Sequence, residues 1–237
     1  MKRKLLQGHQ YTRLTKNGLQ CISFIGLNPT PIPSWDAMEF VQPKYNRGQI
    51  DRSGDAIITN PEALEFFNFL VDPKFEKARA IVENWRSSHA YPMQIIRNNL
   101  VNRARKYDNH AIVAQRLKRF SSIADKLLRE PHMKLSQMQD IGGCRAIVST
   151  AKQVESVVKF HLDAWTKNPH RHELHRFKDY ISSPKRSGYR SVHLIYKFKS
   201  ANSDHMAHNG QRIEIQIRSR MQHIWATAVE IVGAFTN

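Results

Sequence analysis

Between Arg176 and His193 the chain reads RFKDYISSPKRSGYRSVH, with Arg176, Lys178, Lys185, Arg186 and Arg190 set around Ser187-Gly188-Tyr189. Close-set cations attract polyphosphate, a glycine lets backbone approach a ligand, and a tyrosine ring offers a face on which a base can stack. A nucleotide site and a solvated basic loop leading into a strand both fit this composition. Two carboxylates stand elsewhere. In RIEIQIR, Glu214 alternates with Gln216 and Arg218, so these long polar side chains share one strand face while Ile213, Ile215 and Ile217 take the other. Asp140 precedes Ile141-Gly142-Gly143 at the mouth of a buried strand, where a carboxylate either caps a turn or holds a hard cation. As a pair, Asp140 and Glu214 suit Mg²⁺, which is usually held by one or two carboxylates plus substrate phosphates. A further group, Arg116, Lys118, Ser122 and Lys126, reads as part of one helix, with Lys118, Ser122 and Lys126 on a shared face. Its cations either solvate that face or hold phosphates, with Arg116 stacked on an adenine. His193 fits a ligand contact and a satisfied strand histidine equally well.

The elements that must position these groups follow from periodicity and breakers. Residues 1–60 carry Pro29, Pro31, Pro33, Gly48 and Gly54 and read as a peripheral extension with a short helix or two. Helical spacing begins at Pro61, with Ala63, Phe66, Phe67 and Leu70 on one face, then Ile81, Val82 and Trp85. Pro92 opens a second helix that turns Met93, Ile96 and Leu100 inward and Arg97, Arg103, Arg105 and Lys106 outward. A third helix is expected from about His110 to Arg129, closed by Pro131. After Asp140 the period changes. Strands are expected over Cys144–Ser149, Leu174–Ile181, Tyr189–Phe198 and Arg212–Arg218, with helices over Gln153–Trp165 and Met221–Val232. Helices first, then strands mixed with helices, specify an α+β domain over 61–237 with an N-terminal helical layer.

The chain has 237 residues and a net charge of +17, which calls for a polyanionic partner: nucleotide polyphosphate, nucleic acid or an anionic surface. Two cysteines, Cys21 and Cys144, are too few for a disulfide framework and suit a reducing, cytoplasmic setting. No apolar stretch approaches the ~20 residues of a membrane span, so no membrane partner is expected.

Four motifs occur in order: Arg116-x-Lys118-x3-Ser122-Ile-x2-Lys126; Asp140-Ile-x-Gly-x-Arg145; Lys178-Asp-Tyr-Ile-x2-Pro-Lys185-x2-Gly-Tyr189-x-Ser-x-His193; and Glu214-Ile-Gln216-Ile-Arg218. Together they resemble the RelA/SpoT synthetase domain over roughly residues 85 to 233. The resemblance implies a nucleotidyltransferase-like mixed sheet flanked by helices. It also implies transfer of the β,γ-pyrophosphate of ATP to a ribose 3′-hydroxyl, most often of GDP or GTP, with Mg²⁺. By the same resemblance, ATP meets Arg116, Lys118, Ser122, Lys126, Arg145 and Lys178, with Arg116 on the adenine and the lysines on the phosphates. Asp140 and Glu214 are the catalytic and metal-binding carboxylates. Tyr189 stacks on the acceptor base, and Lys185, His193, Gln216 and Arg218 line the acceptor's phosphate and ribose surface. The family's usual Asn is Ser187 here, and the Glu-His that commonly follows Trp-Ala is absent after Trp225-Ala226. No hydrolase motif of the family is present, so a synthetase-only chain is expected. Toxic relatives modify the 3′ end of tRNA or adenine nucleotides and are neutralised by antitoxin proteins. The basic outer helix face at Arg97, Arg103, Arg105 and Lys106 suits a tRNA body. Homo-oligomers and a catalytically inactive RNA-binding relative complete the expectations.

Overall fold

The computed structural model describes residues 11–15, 18–22, 40–59, 73–167 and 172–236. The helical spacing expected over Ala63 to Leu70 lies outside them. The chain divides into two units, Met1–Glu39 and Phe40–Asn237. In the first, β1 (Tyr11–Thr15) and β2 (Gly18–Ile22) pair antiparallel.

The second unit begins within the expected N-terminal extension. α1 (Arg47–Ile58) is opened by a capping box, in which the Asn46 side chain accepts from Gln49 N and the Gln49 side chain accepts from Asn46 N. α1 buries Ile50 and Ile57 against α2 (Pro73–Ser88) and α4 (Phe120–Arg129). A Cβ at Gly54 would stand 2.8 Å from Leu135 Cβ, so only glycine permits this approach. Phe75, Ile81, Val82, Ile123, Leu127 and Ile141 complete this helical core, each worth about 1.5–3 kcal/mol when buried.

The rest is a mixed five-stranded sheet in the order β3-β4-β7-β6-β5. Its strands are β3 (Ile112–Leu117), β4 (Gly142–Val148), β5 (Glu173–Asp179), β6 (Val192–Lys197) and β7 (Arg212–Ser219). β4 and β7 run parallel and every other pair is antiparallel. One face carries Cys144, Ala146, Val148, Leu194, Tyr196, Ile213, Ile215 and Ile217. This face packs on α3 (Ala90–Tyr107) and α5 (Ala151–Lys167) in the main core. A last helix, α6 (Arg220–Thr236), follows β7 directly. Among the described residues no helix is long and apolar enough to cross a membrane.

The helix expected from His110 to Arg129 is a strand followed by a shorter helix. β3 pairs with β4 from Ile112↔Ile147 to Leu117↔Gly142, and Arg119, extended at φ −64° and ψ 150°, separates it from α4. β-Branched Ile112 and Val113 favour the strand, and ladder pairing outweighs the helical propensity of the polar residues around them.

Two buried histidines make the fold acid-sensitive. His89 sits at the head of α3 with Nδ1 2.7 Å from Trp85 O, and burial holds its pKa at about 4. His161 of α5 meets Arg103 and Tyr196, and burial followed by the Arg103 charge holds it at about 3. Both remain neutral in the native protein where the unfolded chain, titrating near 6.5, takes up protons. Their contribution is therefore complete above pH ~6.5 and declines as pH falls toward 4 and 3. Urea unfolding at pH ~5 should give a stability lower than at pH ~7.5 by about 2 kcal/mol per histidine. Equal midpoints at the two pH values would contradict it.

Candidate active site

The face of the sheet turned away from α3 and α5 is largely polar, because the register brings polar positions of the strands abreast, with Gly143, Ile195 and Ala114 between them. Arg116 lies opposite Gly143, Gly143 opposite Glu214, Glu214 opposite Ile195, and Ile195 opposite Arg176. The next row is Ala114, Arg145, Gln216, His193 and Lys178. Residues abreast in adjacent strands point to the same side. A Cβ at Gly143 would meet nothing nearer than Arg116 O at 3.9 Å, so open space stands between Arg116 and Glu214.

Glu214 is held at both oxygens. His193 Nδ1 lies 2.8 Å from Oε1, and Gln216 Nε2 donates to Oε2 at 2.9 Å. Burial pushes the carboxyl up, but the His193 and Gln216 hydrogen bonds outweigh it and Glu214 is held below the usual range, against an opposing push from the Asp140 charge. Because an ionised carboxylate only accepts, His193 donates from Nδ1 to Glu214 Oε1, and its Nε2 lies 2.9 Å from Tyr189 Oη. On the other side, Arg145 Nε donates to Gln216 Oε1 at 3.3 Å. The result is one continuous chain, Tyr189–His193–Glu214–Gln216–Arg145, across three strands.

Asp140 stands just before β4 and is likewise clamped. Lys118 Nζ donates to Oδ2 at 3.0 Å, and Lys126 Nζ to Oδ1 at 2.9 Å. Burial raises this carboxyl, yet the two ammonium groups prevail and hold it below its ordinary range. Arg119, in the link between β3 and α4, lets these lysines converge from a strand end and a helix face. The single helix expected to carry Arg116, Lys118, Ser122 and Lys126 is therefore corrected: Ser122 and Lys126 are on α4, whereas Arg116 lies within β3 and Lys118 just after its end. Ser122 is not among the partners of Asp140.

The basic loop is folded back on itself. Lys185 Nζ lies 4.9 Å from the Tyr180 ring centroid and 5.1 Å from that of Tyr189, while Lys178 Nζ is 6.0 Å from Tyr180. Tyr189 is only 9% exposed, its ring meeting Tyr180 and His193 edge-on. Arg218 is 1% exposed and lies inside the protein near Tyr189, whose pKa burial raises and the Arg218 charge counters. Gly188 has φ +76°, and a Cβ there would stand 2.9 Å from Trp225 Nε1. Its freedom thus serves the turn and a close approach to Trp225 of α6. Asp179 caps the same loop, accepting from Ile181 N, Ser182 N and Ser182 Oγ. Tyr180 and Trp225 are wall residues to which the motifs, though they contain or adjoin them, assigned no role. Arg97, Arg103, Arg105 and Lys106 lie on α3 as expected, on the side of the sheet opposite the polar face; Arg105 and Lys106 are exposed, and Arg103 donates to His161 at 2.8 Å.

Two ionised carboxylates near each other can hold a hard divalent cation. Among the described residues no group of three or more His, Cys, Asp and Glu is placed to hold a metal. Asp140 and Glu214 would therefore need phosphate oxygens and water to complete the coordination, as a magnesium–nucleotide site does.

Residues 115–231 match the family model described as the region found in RelA/SpoT proteins. The chain is 34% identical over 121 residues to GTP pyrophosphokinase YwaC of Bacillus subtilis, a match covering 47% of this chain and 52% of that protein. It is 28% identical over 158 residues to the guanosine-3′,5′-bis(diphosphate) 3′-pyrophosphohydrolase of Aquifex aeolicus, covering 66% of this chain and 20% of the relative. The matches thus span about half the length of the first relative and less of the second. Small alarmone synthetase 2 of B. subtilis superposes with TM-score 0.51 at 26% identity, over 63% of this chain and 78% of that one. Small alarmone synthetase 1 of B. subtilis, bound to its product pppGpp, has the same fold, with TM-score 0.55 at 24% identity over 65% and 80%. The mixed sheet agrees with a nucleotidyltransferase-like fold. Motif order, sheet topology and the match over residues 115–231 together establish that the chain belongs to the RelA/SpoT synthetase family.

Proposed function

We propose that this chain is a pyrophosphokinase that moves the β,γ-pyrophosphate of ATP to the ribose 3′-hydroxyl of GDP or GTP, making (p)ppGpp. The observation that carries the reading is the pair of clamped, ionised carboxylates, Asp140 and Glu214, on a sheet face otherwise rich in cations. The names of the relatives support it. The acceptor oxygen attacks the β-phosphorus of ATP, the bond from that phosphorus to the α-phosphate oxygen breaks, and AMP leaves. Glu214, oriented by His193 and Gln216, takes the hydroxyl proton. Lys118 and Lys126 turn from Asp140 to the donor phosphates, joined by Lys178, while Arg116 and Arg145 flank the adenine over the open space at Gly143. Asp140 and Glu214 would hold Mg²⁺, which would supply neutralisation of the charge that builds on the transferred group. The acceptor base stacks on Tyr189 after Lys185 swings from between the two tyrosine rings, and His193, Gln216 and Arg218 fix that side of the site.

Supplying γ-labelled ATP with GDP, GTP, ADP and deacylated tRNA in parallel tests the reading. Label is expected on GDP or GTP. Label on tRNA or ADP alone would replace the acceptor while keeping the chemistry. No label on any acceptor, with RNA still bound, would leave an inactive RNA-binding relative.

A further inference from the structure

Beside the carboxylate centre lies an open cleft of about 620 Å³ lined by Arg129, Glu130, His132, His175 and Arg212, among others. That volume falls within the range of small-ligand sites. Arg212 is two residues before Glu214 on the same face of β7, about 7 Å along the strand. Its guanidinium is fixed by donation from Nη1 to Gln137 O at 2.6 Å. Burial lowers its pKa, and the charges of Arg47 and Arg176 lower it further. His175 is likewise lowered, first by burial and then by Arg212 and other cations, with Glu173 opposing. Glu173 is already paired with Lys197 at 2.8 Å. Among the described residues none of Arg47, Arg129, Arg176 and Arg212 forms an ion pair. Arg129 and Arg212 thus line this cleft, Arg47 and Arg176 stand close enough for their charges to act on Arg212, and Glu130 is the acid on its wall.

We propose that this cleft is a second phosphate site, reading a phosphate group other than those that react at Asp140 and Glu214. A cluster of guanidiniums and imidazoles around one space is stabilised by an anion carrying several charges and several acceptor oxygens. Phosphate chains meet that need and a single carboxylate does not. Two sources carry this chemistry, the 5′-phosphates of the acceptor and a separate phosphate effector.

Calorimetric titration with inorganic tripolyphosphate tests the site without relying on transfer chemistry. The wild-type chain should bind two equivalents. Lys118→Gln/Lys126→Gln should lose the one belonging to the donor site. Arg129→Gln, at an exposed side chain, should weaken the other about ten-fold, and Arg129→Gln/Arg212→Gln should abolish it. Competition by GTP for this second equivalent assigns it to the acceptor's 5′-phosphates, and persistence under saturating GTP assigns it to a separate anion. Unchanged stoichiometry and affinity in both arginine variants overturns the proposal, as does a wild-type chain whose single equivalent vanishes with the lysine variant. Neither result bears on label transfer, so failure here stays distinct from failure of the pyrophosphokinase reading.

Discussion

Glu214→Gln should reduce pyrophosphate transfer about 10³-fold while leaving the cooperative unfolding transition in place. The substitution keeps the side-chain shape, and Ile213, Ile215 and Ile217 still anchor β7 in the main core. What disappears is the proton acceptor and one of two charges available to a metal. A positioned general base is worth about 10²–10⁴ in rate, and lost charge neutralisation adds to that. The hydrogen-bond chain is disturbed as well. A glutamine can still accept from His193 Nδ1 through its oxygen, but its amide then points at the Gln216 Nε2 donor. Two donors face each other unless Gln216 flips, and a flipped Gln216 no longer accepts from Arg145 Nε. The expected stability loss is about 1–2 kcal/mol. Initial rates with labelled ATP, together with a thermal melt, measure both quantities. Transfer within ten-fold of wild type would remove Glu214 from the chemistry.

How far this arrangement can be read from the chain depends on which forces are local. The inner strands β4 and β7 are legible because CRAIV and RIEIQIR carry buried side chains at period two, and the same period places Glu214, Gln216 and Arg218 on the opposite face. β3 is not legible. It is an edge strand whose residues are mostly exposed, and Gln115 and Arg116 satisfy a helix as readily as a strand until β4 pairs with them. α1 is legible only as one of the short helices expected in residues 1–60, without its bounds, for another reason. Its polar sequence contains Gly48 and Gly54, yet Gly54 is what admits Leu135, and the capping signal in Asn46 and Gln49 was available. The functional groups follow the same rule. Residue types at Asp140, Lys126 and His193 were readable, but their partners were not. His193 meets Glu214 only through the pairing of β6 with β7, and Lys118 and Lys126 reach Asp140 only after Arg119 breaks the chain between strand and helix.

Those lysine contacts lead to the second large effect, at Asp140. The single carboxylate pairs with both ammonium groups, at 3.0 and 2.9 Å, in a partly buried setting that leaves one positive charge uncompensated. An ATP phosphate must compete with Asp140 for each of them. Asp140→Asn removes the competing charge and sets an amide donor against one ammonium, so the two lysines face each other with less compensation. Metal-free ATP supplies the missing anion. Its affinity, measured by calorimetry in the presence of EDTA, should therefore rise about ten-fold in the variant. Transfer should fall about 10³-fold, because the carboxylate pair that would hold Mg²⁺ loses one of its two members. The free protein should lose about 1–3 kcal/mol from the partly exposed cluster. A divergence between tighter metal-free binding and lost transfer separates this role from that of a turn cap, which predicts loss of stability with ATP affinity unchanged. Weaker metal-free ATP binding in Asp140→Asn would show that Lys118 and Lys126 serve Asp140 alone and do not turn to the donor phosphates.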